Sequence, residues 1–283
     1  MLKAFIRETI DGNVIGDPQR RAGMAVPRPV ALWYRYSVLA RREELMSGQI
    51  RLGVIVPSVN SVVEAWYPRT VPEGVSVHFA RMLMPAGTSP ERIVEMDRTD
   101  GKHAIDQLTS CRPHAIAYGC TASSIVQGHE FDAHLRQEIR HIAGCPGTSA
   151  THSIFEACAR LGLKRVTAIS PYPAEIDAAE HKFFTEGGIA TVAGARLGIS
   201  DGFRLAEPEP EAILDLALGA WDPDSDGMII ACLNFRSHPI IDELEARIDK
   251  PVVTSTQATL WHVLRLAGVA APIAGYGRLL REH

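Results

Sequence analysis

The sequence predicts an α/β protein of two pseudo-symmetric lobes, each a parallel sheet flanked by helices, with the active site in the cleft between them. Three observations predict it. Apolar runs rich in Val and Ile alternate with segments of helical spacing, the pattern of parallel strands buried on both faces. The order of those segments is repeated once along the chain. Two of the runs end alike, "AYGC" at Cys120 and "IIAC" at Cys232.

The elements follow in order. "RLGVIVP" from Arg51 is a continuous apolar run closed by a Pro-Ser-Val-Asn turn, and reads as a buried strand. "SPERIVEM" and "GKHAIDQL" have helical spacing, with Ser89 as N-cap ahead of Pro90. "HAIAYGC" reads as a strand, "EFDAHLRQEIRHIAG" as a helix, "CPGTSA" as strand and turn, and "THSIFEACARLGL" as a helix. The second half repeats the series. "RVTAISPY" is a strand and "AEIDAAEHKFFTEGG" a helix closed by glycine. "DGMIIAC" is a strand, "HPIIDELEARID" a helix, and "KPVVTSTQATLWHVLRLAG" strand, turn and helix.

The repeat can be checked by spacing. Pro57 and Pro171 lie 114 residues apart, Cys120 and Cys232 112, and Pro146 and Pro251 105. At this last offset Thr151 and Thr256, Arg160 and Arg265, and Leu161 and Leu266 also coincide. Slowly shrinking offsets mean small loop deletions in an internal duplication. The lobes are assigned to residues 51–150 and 151–283, the last thirty or so residues being free to pack back onto the first lobe. Residues 1–48 show no clear period and a Gly-, Pro- and Arg-rich stretch. They read as an extension outside the fold, either lineage-specific or the result of an over-called start.

Composition narrows the function. A chain of 283 residues, 46% hydrophobic and 22% charged with net charge −4, is that of an ordinary globular protein and not of a nucleic-acid binder. No apolar run reaches the length of a membrane span. Five scattered cysteines, without CxxC or HExxH, read as reduced thiols of a cytoplasmic protein and not as a metal site. His129, His134 and His141 read as a solvated helix face. No GxGxxG follows a strand, so no dinucleotide cofactor is expected. The expected partner is a small carboxylate; assembly into a homo-oligomer is left open.

In open α/β sheets ligands bind beyond the carboxyl ends of the strands. Cys120 and Cys232 both stand there, so two lobes would present two thiols to one cleft from opposite sides. A thiol beside helix N-terminal N–H groups is expected to ionise more easily. Those N–H groups, with the Thr121, Ser123 and Ser124 hydroxyls, are suited to hold a carboxylate. Two opposed thiols can relay a proton between the faces of one carbon, or one can add to an alkene while the other moves a proton.

These motifs resemble the aspartate/glutamate racemase superfamily, in the branch of maleate cis-trans isomerase and arylmalonate decarboxylase. "RLGVIVPSVNSVVE", "YGCTAS", "ISPY", "SDGMIIACLN" and the closing segment through "GYGRLL" carry the resemblance over residues 51–281. It implies Cys120 as nucleophile or first base and Cys232 as second acid/base. It implies Asn60 and Tyr172 as carboxylate ligands, helped by Ser58 and Thr121. Arylmalonate decarboxylases of this branch keep only the second cysteine, so the pair points to isomerase or racemase chemistry. Maleate isomerases usually carry an Asp-Asn pair thirty residues after the tyrosine. Here the pair is Asp201–Gly202, with Asn234 and Arg236 as candidates to compensate; a surface arginine at a helix start is the competing reading of Arg236.

The expected activity is thus a cofactor-independent two-cysteine isomerase of a small carboxylic acid. The alternatives are a two-base amino-acid or hydantoin-type racemase, an arylmalonate-type decarboxylase, and a non-catalytic carboxylate-binding protein. A chain starting at Met46 is expected to fold and keep its activity; insolubility of that chain would count against the assigned boundary.

Overall fold

The computed structural model describes residues 48–283. The extension expected over 1–48 falls, up to residue 47, outside the described residues. Two four-stranded parallel sheets result. The first contains β1 (Ile50–Pro57), β2 (Val75–Met82), β3 (Ala115–Tyr118) and β4 (Gly147–Ser149), in the order β2-β1-β3-β4. The second contains β5 (Arg165–Ser170), β6 (Ala190–Arg196), β7 (Gly227–Ile230) and β8 (Val252–Thr254), in the order β6-β5-β7-β8. Each strand of one sheet has its counterpart four places later in the other. Register follows: Ile55 pairs with Tyr118 and Ile169 with Ile230, so each cysteine stands two residues beyond an equivalent rung. The duplication and the fold class read from the sequence are both present.

Ten helices of the described residues flank the sheets: α1 (Val63–Thr70), α2 (Pro90–Met96), α3 (Lys102–Thr109), α4 (Thr121–Ala143), α5 (Ala150–Leu161), α6 (Ala174–Glu186), α7 (Pro210–Ala220), α8 (Ile241–Ile248), α9 (Ser255–Leu266) and α10 (Gly277–Glu282). A π turn, Asp97–Gly101, joins α2 to α3. Helix α4 starts at once after Cys120 and bends at Gly128, where φ is 89°. The sequence suggests a start only near Glu130 because "TASSIVQG" is too polar at its ends to show a helical stripe.

The strands β2 and β6 have no counterpart in the sequence reading. Both are sheet edges, mostly half-buried, and so lack the continuous apolar run that marks β1, β3, β5 and β7. Helix α1 is equally hidden, since Pro68 lies inside it and reads as a breaker.

Two helices tie the sheets together. Each follows the last strand of its sheet, with Ser149 capping α5 and Thr254 capping α9. They pack on each other, and α9 also contacts β3 and β4 of the first sheet. The Tyr67 hydroxyl donates to the Thr256 carbonyl at 2.8 Å, and Thr148 Oγ1 lies 3.0 Å from His262 Nδ1. Among the described residues no helix is long and apolar enough to cross a membrane.

Asp132, 5% exposed, is the polar anchor of the first lobe. Its Oδ1 accepts from Ser124 at 2.7 Å, from Thr151 at 2.8 Å and from the Ser149 hydroxyl; Arg136 Nε donates to Oδ2 at 3.1 Å. These bonds pin the start of α4, the end of β4 and the start of α5. Asp132→Ala strands three buried hydroxyls and is expected to cost about 3–5 kcal/mol, lowering Tm by on the order of 10 °C in thermal unfolding.

Candidate active site

The two sheets direct the ends of β1, β3, β5 and β7 at one cavity of about 500 Å³ of empty space, part of it open to solvent. Cys120 and Cys232 both line it, with Asn60, Thr121, Tyr172 and Asn234. Ser58 and Arg236 are not among its lining residues.

Asn60 arrives on the turn after β1. Its N–H donates to the Pro57 carbonyl at 2.9 Å, and its Oδ1 accepts from Val62 and Val63 N–H at 3.0 and 3.1 Å, starting α1. Arg81 clamps this turn, donating to the carbonyls of Ser58 at 2.8 Å and Asn60 at 3.0 Å while paired with Glu64. Oδ1 is thereby spent, and the Asn60 amide keeps Nδ2 for the cavity it lines. Ser58 turns its Oγ to the Met84 N–H at 3.0 Å; it shapes the loop and does not face the cavity.

Cys120 is the N-cap of α4 in extended backbone, φ −135°. Gly119 before it is required by close approach: a Cβ there would lie 2.8 Å from the Ile55 carbonyl and 3.0 Å from Leu233 of the other lobe. Cys232 differs, with φ at +81°, a conformation few residues other than glycine adopt. Tyr172 follows β5, held by its N–H to Ser170 Oγ at 3.3 Å, and its hydroxyl favours the ionised Cys232 thiol against burial.

The helix-terminus argument predicts easily ionised thiols, and the structure reverses it. Burial pushes both Cys120 and Cys232 up to about 12. For Cys120 the Asp97 charge adds to the rise, while the Ser123 hydroxyl and N–H oppose it. For Cys232 the Tyr172 hydroxyl and the Asn234 N–H oppose burial, and Glu180 adds to it. Cysteines only 8% and 4% exposed lose more solvation than one helix end returns. Burial therefore favours the protonated form of both thiols at neutral pH.

Other polar groups are committed elsewhere. Ser123 donates to Asp97 at 2.8 Å and Ser124 to Asp132 at 2.7 Å, so neither hydroxyl serves as an anion ligand. The Thr121 hydroxyl donates to Ser255 at 3.3 Å, so of the polar groups at the start of α4 it is the first-turn N–H groups that lack partners within the helix. Asn234 staples the lobes: Nδ2 donates to the Gly202 carbonyl at 2.8 Å and Oδ1 accepts from Ser61 N–H at 2.9 Å. Arg236 points away, bonding the carbonyls of Glu207 and Pro208 and pairing with Glu209. Neither replaces the amide missing at Gly202. Two carboxyls near the thiols, Asp97 and Glu180, carry no sequence motif and escape the sequence reading. Glu180 is fully buried with neither oxygen hydrogen-bonded, and burial, then Asp177, holds it well above the usual carboxyl range.

The sequence model of the arylmalonate decarboxylase family matches residues 52–280. The chain belongs to the arylmalonate decarboxylase family. Within that family it is 28% identical to an arylmalonate decarboxylase of Bordetella bronchiseptica, over 82% of this chain and 96% of the relative. It is 24% identical to a maleate isomerase of Geobacillus stearothermophilus, over 83% and 98%. A solved structure of Nocardia farcinica maleate cis-trans isomerase, a cysteine-to-serine mutant with a covalently bound succinylcysteine intermediate, superposes with a TM-score of 0.77 at 22% identity. It covers 83% of this chain and 99% of that one.

The positive φ of Cys232 makes a test. Glycine ordinarily costs about 0.5–1 kcal/mol relative to alanine in regular structure. At this position the order is expected to invert, with Cys232→Gly melting at or above Cys232→Ala; a clearly lower Tm for the glycine variant would contradict the strain.

Proposed function

We propose that this member of the arylmalonate decarboxylase family is a cofactor-independent two-cysteine isomerase of a small carboxylic acid, of the maleate cis-trans type. The observation that carries the proposal is that both cysteines, at equivalent strand ends of the two sheets, line one cavity. The maleate isomerase relatives, and the succinylcysteine held by a protein of the same fold, support the same chemistry.

The substrate carboxylate binds the first-turn N–H groups of α4, with Asn60 Nδ2 and Tyr172. Cys120 sulfur adds to one alkene carbon, and the π electrons move onto the carboxylate as an enediolate. The N–H cradle stabilises that charge, which is worth several kcal/mol in a site shielded from water. Cys232, which shares the cavity with Tyr172, gives its proton to the neighbouring carbon. Rotation about the new single bond, return of the proton to Cys232 and loss of the Cys120 sulfur give the trans acid. The Cys232 proton is thereby returned, with no net change at that sulfur.

The wall around the thiols favours a refinement. Val59, Met84, Ile93, Ile176, Leu205 and Leu233 line the cavity, and among the described residues no Lys, Arg or His does. One carboxylate is well provided for; a second is not. This supports an acid with one carboxylate and an apolar substituent over maleate itself, and keeps a two-base racemase as the second reading.

Cys120→Ser and Cys232→Ser are each expected to remove most turnover, by about 100-fold or more. NMR in D2O with maleate, apolar cis-enoic acids and chiral α-substituted acids separates the readings. Trans product marks the isomerase; deuterium at an α-carbon without a geometric change marks the racemase; full activity in both serine variants sinks the proposal.

A further inference from the structure

The chemistry assigned to Cys120 leaves a proton without a destination. Burial favours the neutral thiol, and among the described residues no histidine lines the cavity to receive its proton. A carboxyl, Asp97, is hydrogen-bonded to a side chain on the helix turn that Cys120 caps. Asp97 stands at the start of the π turn between α2 and α3. Its Oδ1 accepts from the Tyr118 hydroxyl at 2.7 Å and the Ser123 hydroxyl at 2.8 Å, and its Oδ2 from Gln127 Nε2 at 2.7 Å.

Those three donors bracket the nucleophile. Tyr118 is the last residue of β3, two before Cys120; Ser123 and Gln127 are one helical turn apart on α4, just after it. Asp97 thereby fixes the strand end and helix start between which the thiol hangs. Ser123 is the third residue of the helix that Cys120 caps, on the same turn as the sulfur, and its hydroxyl favours the ionised thiol against burial.

We propose that Asp97, acting through the Ser123 hydroxyl, accepts the Cys120 proton as the sulfur adds to the substrate, and returns it on elimination. The proposal rests on Cys120 being the nucleophile. The S–H bond breaks and its proton goes to Ser123 Oγ, whose own proton goes to Asp97 Oδ1. The sulfur electron pair forms the S–C bond as the π pair moves onto the substrate carboxylate. Elimination reverses each transfer, and no proton is gained or lost. Because transfer accompanies bond formation, free thiolate need not accumulate.

The surroundings of Asp97 suit the task. Three neutral donors hold it and no cation pairs with it, and burial pushes its carboxyl up to about 6. The titratable groups facing it are Tyr118 from β3 and Cys120. Helix α4 presents Ser123 and Gln127, and β2 presents Met82, whose sulfur lies 2.8 Å from the Tyr118 hydroxyl. Asp100 on the same turn is taken up by the Leu83 N–H at 2.6 Å. Proton transfer also removes the Asp97 charge that raises the thiol, so the two groups titrate as a pair.

The test separates a proton acceptor from a mere negative neighbour, because the two predict opposite signs. Alkylation of Cys120 by iodoacetamide is followed by mass spectrometry of its peptide, from about pH 5 to about pH 9. In the native protein the rate should rise as Asp97 ionises. Asp97→Asn should abolish that rise and slow alkylation, with kcat about 100-fold lower, KM little changed and the acidic limb of the pH profile lost. Ser123→Ala should do the same while leaving Asp97 bonded to Tyr118 and Gln127, and the double variant should be no worse than either single one. Faster alkylation in Asp97→Asn would mean that Asp97 acts only as a like charge and would overturn the proposal, as would losses that multiply or an unchanged profile. If Asp97→Asn does not fold by circular dichroism, Ser123→Ala decides alone. Alkylation needs no substrate: if no acid turns over yet alkylation responds as expected, the proton path stands and the substrate assignment falls.

Discussion

Burial of the two thiols is the constraint on which the site depends. The strands that carry them, β3 and β7, are wholly buried, so a cysteine two residues beyond the shared rung is delivered into a desolvated cavity. Desolvation then outweighs the helix end beside Cys120 and the tyrosine beside Cys232, and both sulfurs stay neutral. A neutral thiol pair is protected from oxidation and stray alkylation, at the expense of needing a partner for each proton. Most of the polar architecture around the cavity answers that need or rigidifies the loops that meet there.

The two copies of the unit have diverged where the chemistry differs. Cys120 has relaxed extended backbone and a helix directly behind it; Cys232 is held at positive φ and followed by Leu233 and Asn234, which reach into the other lobe. Asn234 looks from the sequence like a substrate ligand because it follows a cysteine on a strand end. Its amide instead joins the turn after β1 to the loop at Gly202, closing the cleft that a substrate ligand would have opened.

Fold and duplication were legible in the sequence because β1, β3, β5 and β7 are buried on both faces and appear as uninterrupted apolar runs. Strands β2 and β6 were not, since an edge strand is half wet and its pattern blurs. The cysteines, Asn60, Thr121 and Tyr172 were legible by position at strand ends, and all line the cavity. Ser58 and Arg236 share that position in sequence, but their side chains turn toward a backbone N–H and a surface carboxylate. Which way a loop side chain turns is set by Arg81, Glu209 and other distant groups that no local pattern encodes. The direction of the thiol shift was lost for the same reason, because desolvation is a property of the assembled lobes.

The crossing of α9 to the first sheet, matched by the packing of α5 against it, makes the two lobes inseparable. Helix α9 packs on β3 and β4 of the first sheet as well as on β8 of its own, and α5 on β8 as well as on β4. The chain therefore has the form of two like units packed together through their last helices and joined end to end in one polypeptide. The cavity that holds both cysteines lies between those units. Once the join is made, the two sides are free to change independently, which no symmetric dimer of identical chains can do.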